Sequence, residues 1–179
     1  MYDSPHQFEP LLPAQQKQEP LLAKAHDLAR SATQLAGLPI APALRGLLRC
    51  MNSYYTNRIE GQHTRPLEIE QAMASNFSGN KELATRQRLA LAHIEAEVAV
   101  ELRYAGEAGG RLLYSGAAVC DLHRELFSRL PADDLVTPEG EPIVPGALRS
   151  RAVQVGQHVA PAHGSLSALL GRWGVEVDS

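Results

Sequence analysis

Glu60 is placed by the sequence where an anion is least welcome. It closes an apolar-periodic segment and is followed at once by Gly61, so the pattern puts it at the C-terminal end of a helix. The helix macrodipole is negative there, and a carboxylate loses roughly 0.3–1 kcal/mol by standing in it. Arg58 lies two residues back and does not share its helix face. Glu60 is therefore expected to find its cation elsewhere, and an arginine across a pocket would suit, because its planar fork grips both carboxylate oxygens. A solvated glutamate at a frayed helix end is the plainer alternative on this argument alone.

The other chemistry-bearing residues form no constellation of their own. His158 and His163 have no acid or cysteine at convincing ligand spacing, so no metal site is expected. Cys50 and Cys120 lack C-x-x-C spacing and fall in apolar helical patterns, which reads as small buried hydrophobes. No P-loop, dinucleotide fingerprint or nucleophile elbow occurs. The net charge is −3, from 17 basic and 20 acidic residues, which argues against a general nucleic-acid binder. No apolar run approaches the roughly 20 residues of a membrane span. The polar stretch Met1–Gln18 has no signal-peptide pattern, and a cytoplasmic protein is expected.

The elements that must position Glu60 can be read from periodicity. Residues 1–19, with Pro5, Pro10 and Pro13, read as an irregular arm. A first helix is predicted over Leu21–Ala36 and stops at Gly37. The second, Ala43 to about Glu60, carries an apolar stripe of Leu44, Leu47, Leu48, Met51, Tyr55 and Ile59. Gly61 suits a left-handed cap. Thr64 is the expected N-cap of a short helix over Leu67–Ser75. Further helices are predicted over Lys81–Tyr104, with Leu91, Ile94, Val98 and Leu102 in register, over Ala117–Leu130, and from Ser165 through Trp173. Gly106, Gly109 and Gly110 mark a loop, and Thr137–Pro145 a surface loop. Alternation at Val153 and Val155 suggests a short strand, paired with Ala147–Arg149 in a hairpin. The expected fold is mostly α with one small β-hairpin, divided into an arm and first helix (1–41) and a second part (42–179).

The stretch Ser53-Tyr54-Tyr55-Thr56-Asn57-Arg58-Ile59-Glu60-Gly61, followed by Thr64-Arg65-Pro66-Leu67-Glu68-Ile69-Glu70, closely resembles the N-terminal region of Fic proteins. Within it, Thr56-x-x-x-Glu60-Gly61 matches the inhibitory motif of that family, (Ser/Thr)-x-x-x-Glu-(Gly/Asn). Leu122-His123-Arg124-Glu125-Leu126-Phe127 resembles the helix before the family's flap. Gly146-Ala147-Leu148-Arg149, with Val153-x-Val155-Gly156-x-His158-Val159-x-Pro161, resembles the flap and the strand leaving it. The likeness covers most of residues 42–173.

The resemblance implies a Fic-like helical bundle whose complete enzyme uses ATP and Mg²⁺ to transfer AMP to a Ser, Thr or Tyr hydroxyl of a target protein. It makes Glu60 the inhibitory carboxylate, paired with an arginine of the catalytic motif where the ATP γ-phosphate would lie. Thr56 would steady Glu60 from one turn earlier, and Gly61 would end the helix near the pocket. Arg149, Ser150, Arg151, Ala152, Val153, Gln154 and Val155 would form the flap that registers the target by backbone pairing. The family's catalytic motif, His-x-Phe-x-(Asp/Glu)-Gly-Asn-(Gly/Lys)-Arg, follows none of the seven histidines. No catalytic residue is therefore assigned, and the chain is expected to stop short of that motif and to bind neither ATP nor Mg²⁺ well. The expected partners are the target protein and either a catalytic half or a second copy of the chain. The alternative is a non-catalytic helical module that inhibits or binds a separate protein.

Overall fold

The helices form where apolar periodicity and capping residues coincide. The computed structural model describes residues 13–106, 112–137 and 139–178, with helices α1 (Gln15–Ala36), α2 (Ala41–Ile59), α3 (Pro66–Met73), α4 (Lys81–Arg103), α5 (Gly116–Phe127) and α6 (Leu166–Asp178). The predicted glycine loop lies partly outside the described residues, as does most of the predicted arm. The mostly α fold is as expected.

Helix α4 is the axis of the molecule. Asn80 caps it by accepting from the Leu83 amide at 3.0 Å, satisfying one of the first-turn donors. It packs against α2, α3 and α5, and α5 packs on α6. The inward face of α4 is built mainly of small residues (Ala84, Ala90, Ala92 and Ala96) with Gln87 and Ile94, whereas Leu102, in register with Ile94 by periodicity, is exposed. Small side chains let neighbouring helices approach closely, and the core is correspondingly compact: Ile69, Ala90 and Ile94, with Cys50 and Tyr54 packed against them. Gly116 shows the same economy at the α5–α6 contact, where a Cβ would come within 2.9 Å of the Leu170 Cβ.

Several boundaries differ from the sequence expectation for local reasons. Helix α1 begins at Gln15, so residues 15–19 of the predicted arm are helical and Pro20 sits inside the helix. Arg65, not Thr64, is the N-cap of α3. The Glu68 carboxylate accepts from the Arg65 amide at 2.7 Å and from its guanidinium at 2.7 and 2.9 Å, while Pro66 occupies the first helical position. Thr64 is instead fully buried beside it. The strand partner also differs: Gln154–Val155 pairs antiparallel with His158–Val159, not with Ala147–Arg149. Gly156, at φ +59°, begins the two-residue turn between them, a position that favours glycine.

The apolar stripe of α2 faces outward. The buried residues of the helix are Ala41, Ser53 and Asn57, whereas Leu47, Leu48, Met51, Tyr55 and Ile59 of the apolar stripe are exposed, Ile59 by 82%. Helix α1 likewise has no buried residue, and its Leu21, Leu22, Leu28 and Leu35 are open. Charged residues reinforce the α2–α4 seam: Arg45 reaches Glu101 at 3.2 Å, and Arg49 pairs with Glu97 and Glu101. No helix among the described residues is long and apolar enough to cross a membrane.

A second charged tie fixes the loop after α5. Asp134, its side chain almost fully covered, accepts from Arg88 at 2.6 and 3.1 Å and from the Thr85 hydroxyl at 2.9 Å. The Arg88 hydrogen bonds hold the Asp134 carboxyl below its ordinary range, with Thr85 adding to the effect. A carboxyl depressed on folding contributes stability above its unfolded pKa of about 4, and that stability is lost as pH falls through the lower folded value. Asp134→Asn is expected to cost about 2 kcal/mol at neutral pH, the worth of hydrogen bonds to a charged group. Urea unfolding at pH 7 and pH 3 checks this: the gap between wild type and variant should shrink at the lower pH.

Candidate functional site

The end of α2 is a Schellman cap. Gly61 stands at φ +77°, its amide donates to the Arg58 carbonyl at 3.1 Å, and the Gln62 amide donates to the Asn57 carbonyl at 2.7 Å. The left-handed cap expected of Gly61 is thus formed, and it requires a residue without a Cβ penalty. Glu60 is the C-cap residue, with φ −81° and ψ 12°, and it is exposed. Its carboxylate has no hydrogen-bond or ion-pair partner among the described residues. Arg58 is engaged elsewhere, donating to the Tyr54 hydroxyl at 2.9 Å and lying 5.9 Å from the centre of that ring. The anion therefore projects from a fixed backbone without a local cation.

Thr56 is also exposed, and its hydroxyl has no hydrogen-bond partner among the described residues. Two residues that sequence reasoning passed over are better tied. Ser53 and Asn57 are 0% and 6% exposed, on the side of α2 opposite its apolar stripe. The Asn57 side-chain amide donates to the Ser53 hydroxyl at 3.2 Å, and that hydroxyl donates to the Ala90 carbonyl of α4 at 2.9 Å. Their signal was present as two polar residues four apart on a helix, which share a face.

The segment Arg149–Val155, the expected flap, lies far along the chain and makes no hydrogen bond or ion pair to the end of α2 among the described residues. Arg149 donates through its guanidinium to the carbonyls of Arg151 and Pro161, stapling the segment across itself. Arg151 reaches the Thr137 hydroxyl at 3.3 Å and the carboxylates of Glu139 and Glu141 at 3.6 and 3.8 Å. Ser150 and Ala152 are exposed; the Val153 carbonyl accepts from the Ala160 amide at 3.0 Å, and Gln154 and Val155 form the short strand. A cleft of about 530 Å³ runs beside the segment, lined in part by His123, Thr137, Glu141, Arg149 and Arg151.

His123 anchors the base of this segment. Its Nδ1 accepts the Gly146 amide at 2.8 Å, its ring lies 4.5 Å from that of Phe127, and burial holds its pKa below the ordinary value. The accepting Nδ1 requires the imidazole to carry its proton on Nε2. Gly146, at φ +81°, leaves room for Arg124, whose guanidinium would stand 2.7 Å from a Cβ there.

Among the described residues no group of three or more His, Cys, Asp or Glu is placed to hold a metal ion. Nor does a glycine-rich loop open a long helix there as a phosphate cradle does. Both cysteines are free and half-buried; Cys50 packs against the core, where burial, with help from Glu70, pushes its thiol pKa up. Comparison with protein-family models, curated proteins and solved structures returned no match.

Proposed function

We propose that this chain is the regulatory and target-facing part of a Fic-type AMP-transferase, with Glu60 as the carboxylate that blocks the catalytic core. The observation that carries this reading is Glu60 itself. It ends α2 in a closed Schellman cap, it is exposed, and its carboxylate has no partner among the described residues. An anion so presented, on the motif Thr56-x-x-x-Glu60-Gly61, is suited to an arginine supplied by another body of protein. ATP and Mg²⁺ belong to that body. The segment Arg149–Val155, with its adjoining cleft, is the face offered to the target protein. The cytoplasm is the compartment proposed, in keeping with two free cysteines.

The protein alone is expected to transfer no AMP. Incubation with labelled ATP and Mg²⁺ should give no protein-bound label above a boiled control, whereas addition of the chain to a Fic core lacking its own inhibitory helix should suppress that core's labelling. Label on the chain alone, or an unaffected core, would overturn the proposal. A second reading, a helical module acting on an unrelated partner, draws on the open apolar faces of α1 and α2. It gains if no Fic core responds.

A further inference from the structure

We infer that Ser53 and Asn57, and not the Thr56 hydroxyl, aim Glu60; this rests on the reading of Glu60 as the inhibitory carboxylate. An exposed side chain at a helix end inhibits well only if its backbone is held, because each freely sampled direction dilutes the productive one. The structure supplies the holding through Asn57 twice over. Its side chain donates to Ser53, which donates onward to the Ala90 carbonyl, so the last turn of α2 is tied to the middle of α4. Its main-chain carbonyl accepts the Gln62 amide at 2.7 Å, which closes the turn on the far side of Glu60. Glu60 thus lies within the turn that the Asn57 carbonyl and the Gln62 amide close, with Gly61 locked at φ +77°. Beyond the turn Thr64 is buried at the start of α3, so the outgoing chain is held as well.

Both side chains are removed from solvent, so the Asn57–Ser53–Ala90 relay is not exchanged for water, and its members support one another. The Thr56 hydroxyl, one turn before Glu60, is exposed and has no hydrogen-bond partner among the described residues. Ser53 and Asn57 are positioning residues: they act through the cap and touch no substrate.

The test uses the 179-residue protein with Ser53→Ala, Asn57→Ala, the double variant, Thr56→Ala and Glu60→Gly. Amide exchange at Gly61 and Gln62, followed by NMR, should accelerate about tenfold in Ser53→Ala and Asn57→Ala, one hydrogen bond's worth at a net value near the upper end of the usual range. The double variant should be no faster than the faster single one, since the two groups form one relay. The half-inhibitory concentration against a helix-deleted Fic core should rise about tenfold in the same variants at unchanged helical content, while Thr56→Ala changes neither readout. Wild-type exchange and inhibition in Ser53→Ala and Asn57→Ala, or a Thr56→Ala defect as large as theirs, would overturn the inference. If Asn57→Ala does not fold, Ser53→Ala, which removes one oxygen, decides alone. Failure of the underlying reading is separately visible: Glu60→Gly would then inhibit as wild type does, while exchange at Gly61 and Gln62 still reports on the relay.

Discussion

Replacing Glu60 by glycine is expected to raise the concentration needed to inhibit a helix-deleted Fic core by about 30-fold or more. The magnitude follows from the kind of contact proposed. Removing one member of a desolvated, hydrogen-bonded charge pair costs about 2–5 kcal/mol, and the lower figure is already a factor of about 30. The substitution should cost little in folding. Glu60 is the C-cap residue, its side chain is exposed, and it has no partner among the described residues. Removing an anion from the negative end of a helix is mildly favourable, which offsets part of glycine's backbone entropy cost. Loss of inhibition therefore cannot be ascribed to unfolding, and thermal melts of the two proteins should nearly coincide. Equal inhibition by wild type and Glu60→Gly would remove Glu60 from the role. Titration of the core's labelling activity with each protein makes the measurement.

Ile69→Ala is expected to lower stability by about 3 kcal/mol, while Ile59→Ala changes it by about 0.5 kcal/mol or less. Both are isoleucines at helical positions, and only tertiary placement separates them. Ile69 is 1% exposed in the cluster with Ala90 and Ile94, against which Cys50 and Tyr54 pack. Truncation there removes transfer energy and leaves a cavity in a core too small to absorb it. Ile59 lies on the open stripe of α2 and loses little. For a chain of this size the difference corresponds to roughly 5–12 °C in melting temperature. Urea unfolding of the two variants provides the comparison. Equal costs would mean that the α2 stripe, with Leu47, Met51, Tyr55 and Ile59, is covered in solution.

The termini of the helices were largely legible in the sequence. Gly61 takes the left-handed cap, Gly37 follows the last residue of α1, and α4 begins at Lys81, because helix ends depend on residues within one turn of each other. The misassigned N-cap of α3 also has a local cause. Thr64 has the usual capping chemistry, but Arg65 and Glu68 close the box and Thr64 is drawn into the interior. The strand at Gln154 was anticipated and its partner was not, since alternation marks a strand without saying which neighbour completes it.

What the sequence by itself determined is thus the mostly helical class, the ends of most helices, and the presence of Glu60 at the unfavourable end of one of them. These depend on periodicity, capping and dipole, all of short range. Only the tertiary structure decided which side of α2 is buried. The apolar stripe by itself does not say what covers it, and α4 offers a surface of alanines and the Ala90 carbonyl, which a close-packed helix meets with small or hydrogen-bonding residues. Ser53 and Asn57 satisfy that surface and Leu47 and Met51 turn outward. That choice rests on a residue 37 positions from Ser53 in the chain, beyond the reach of any local pattern.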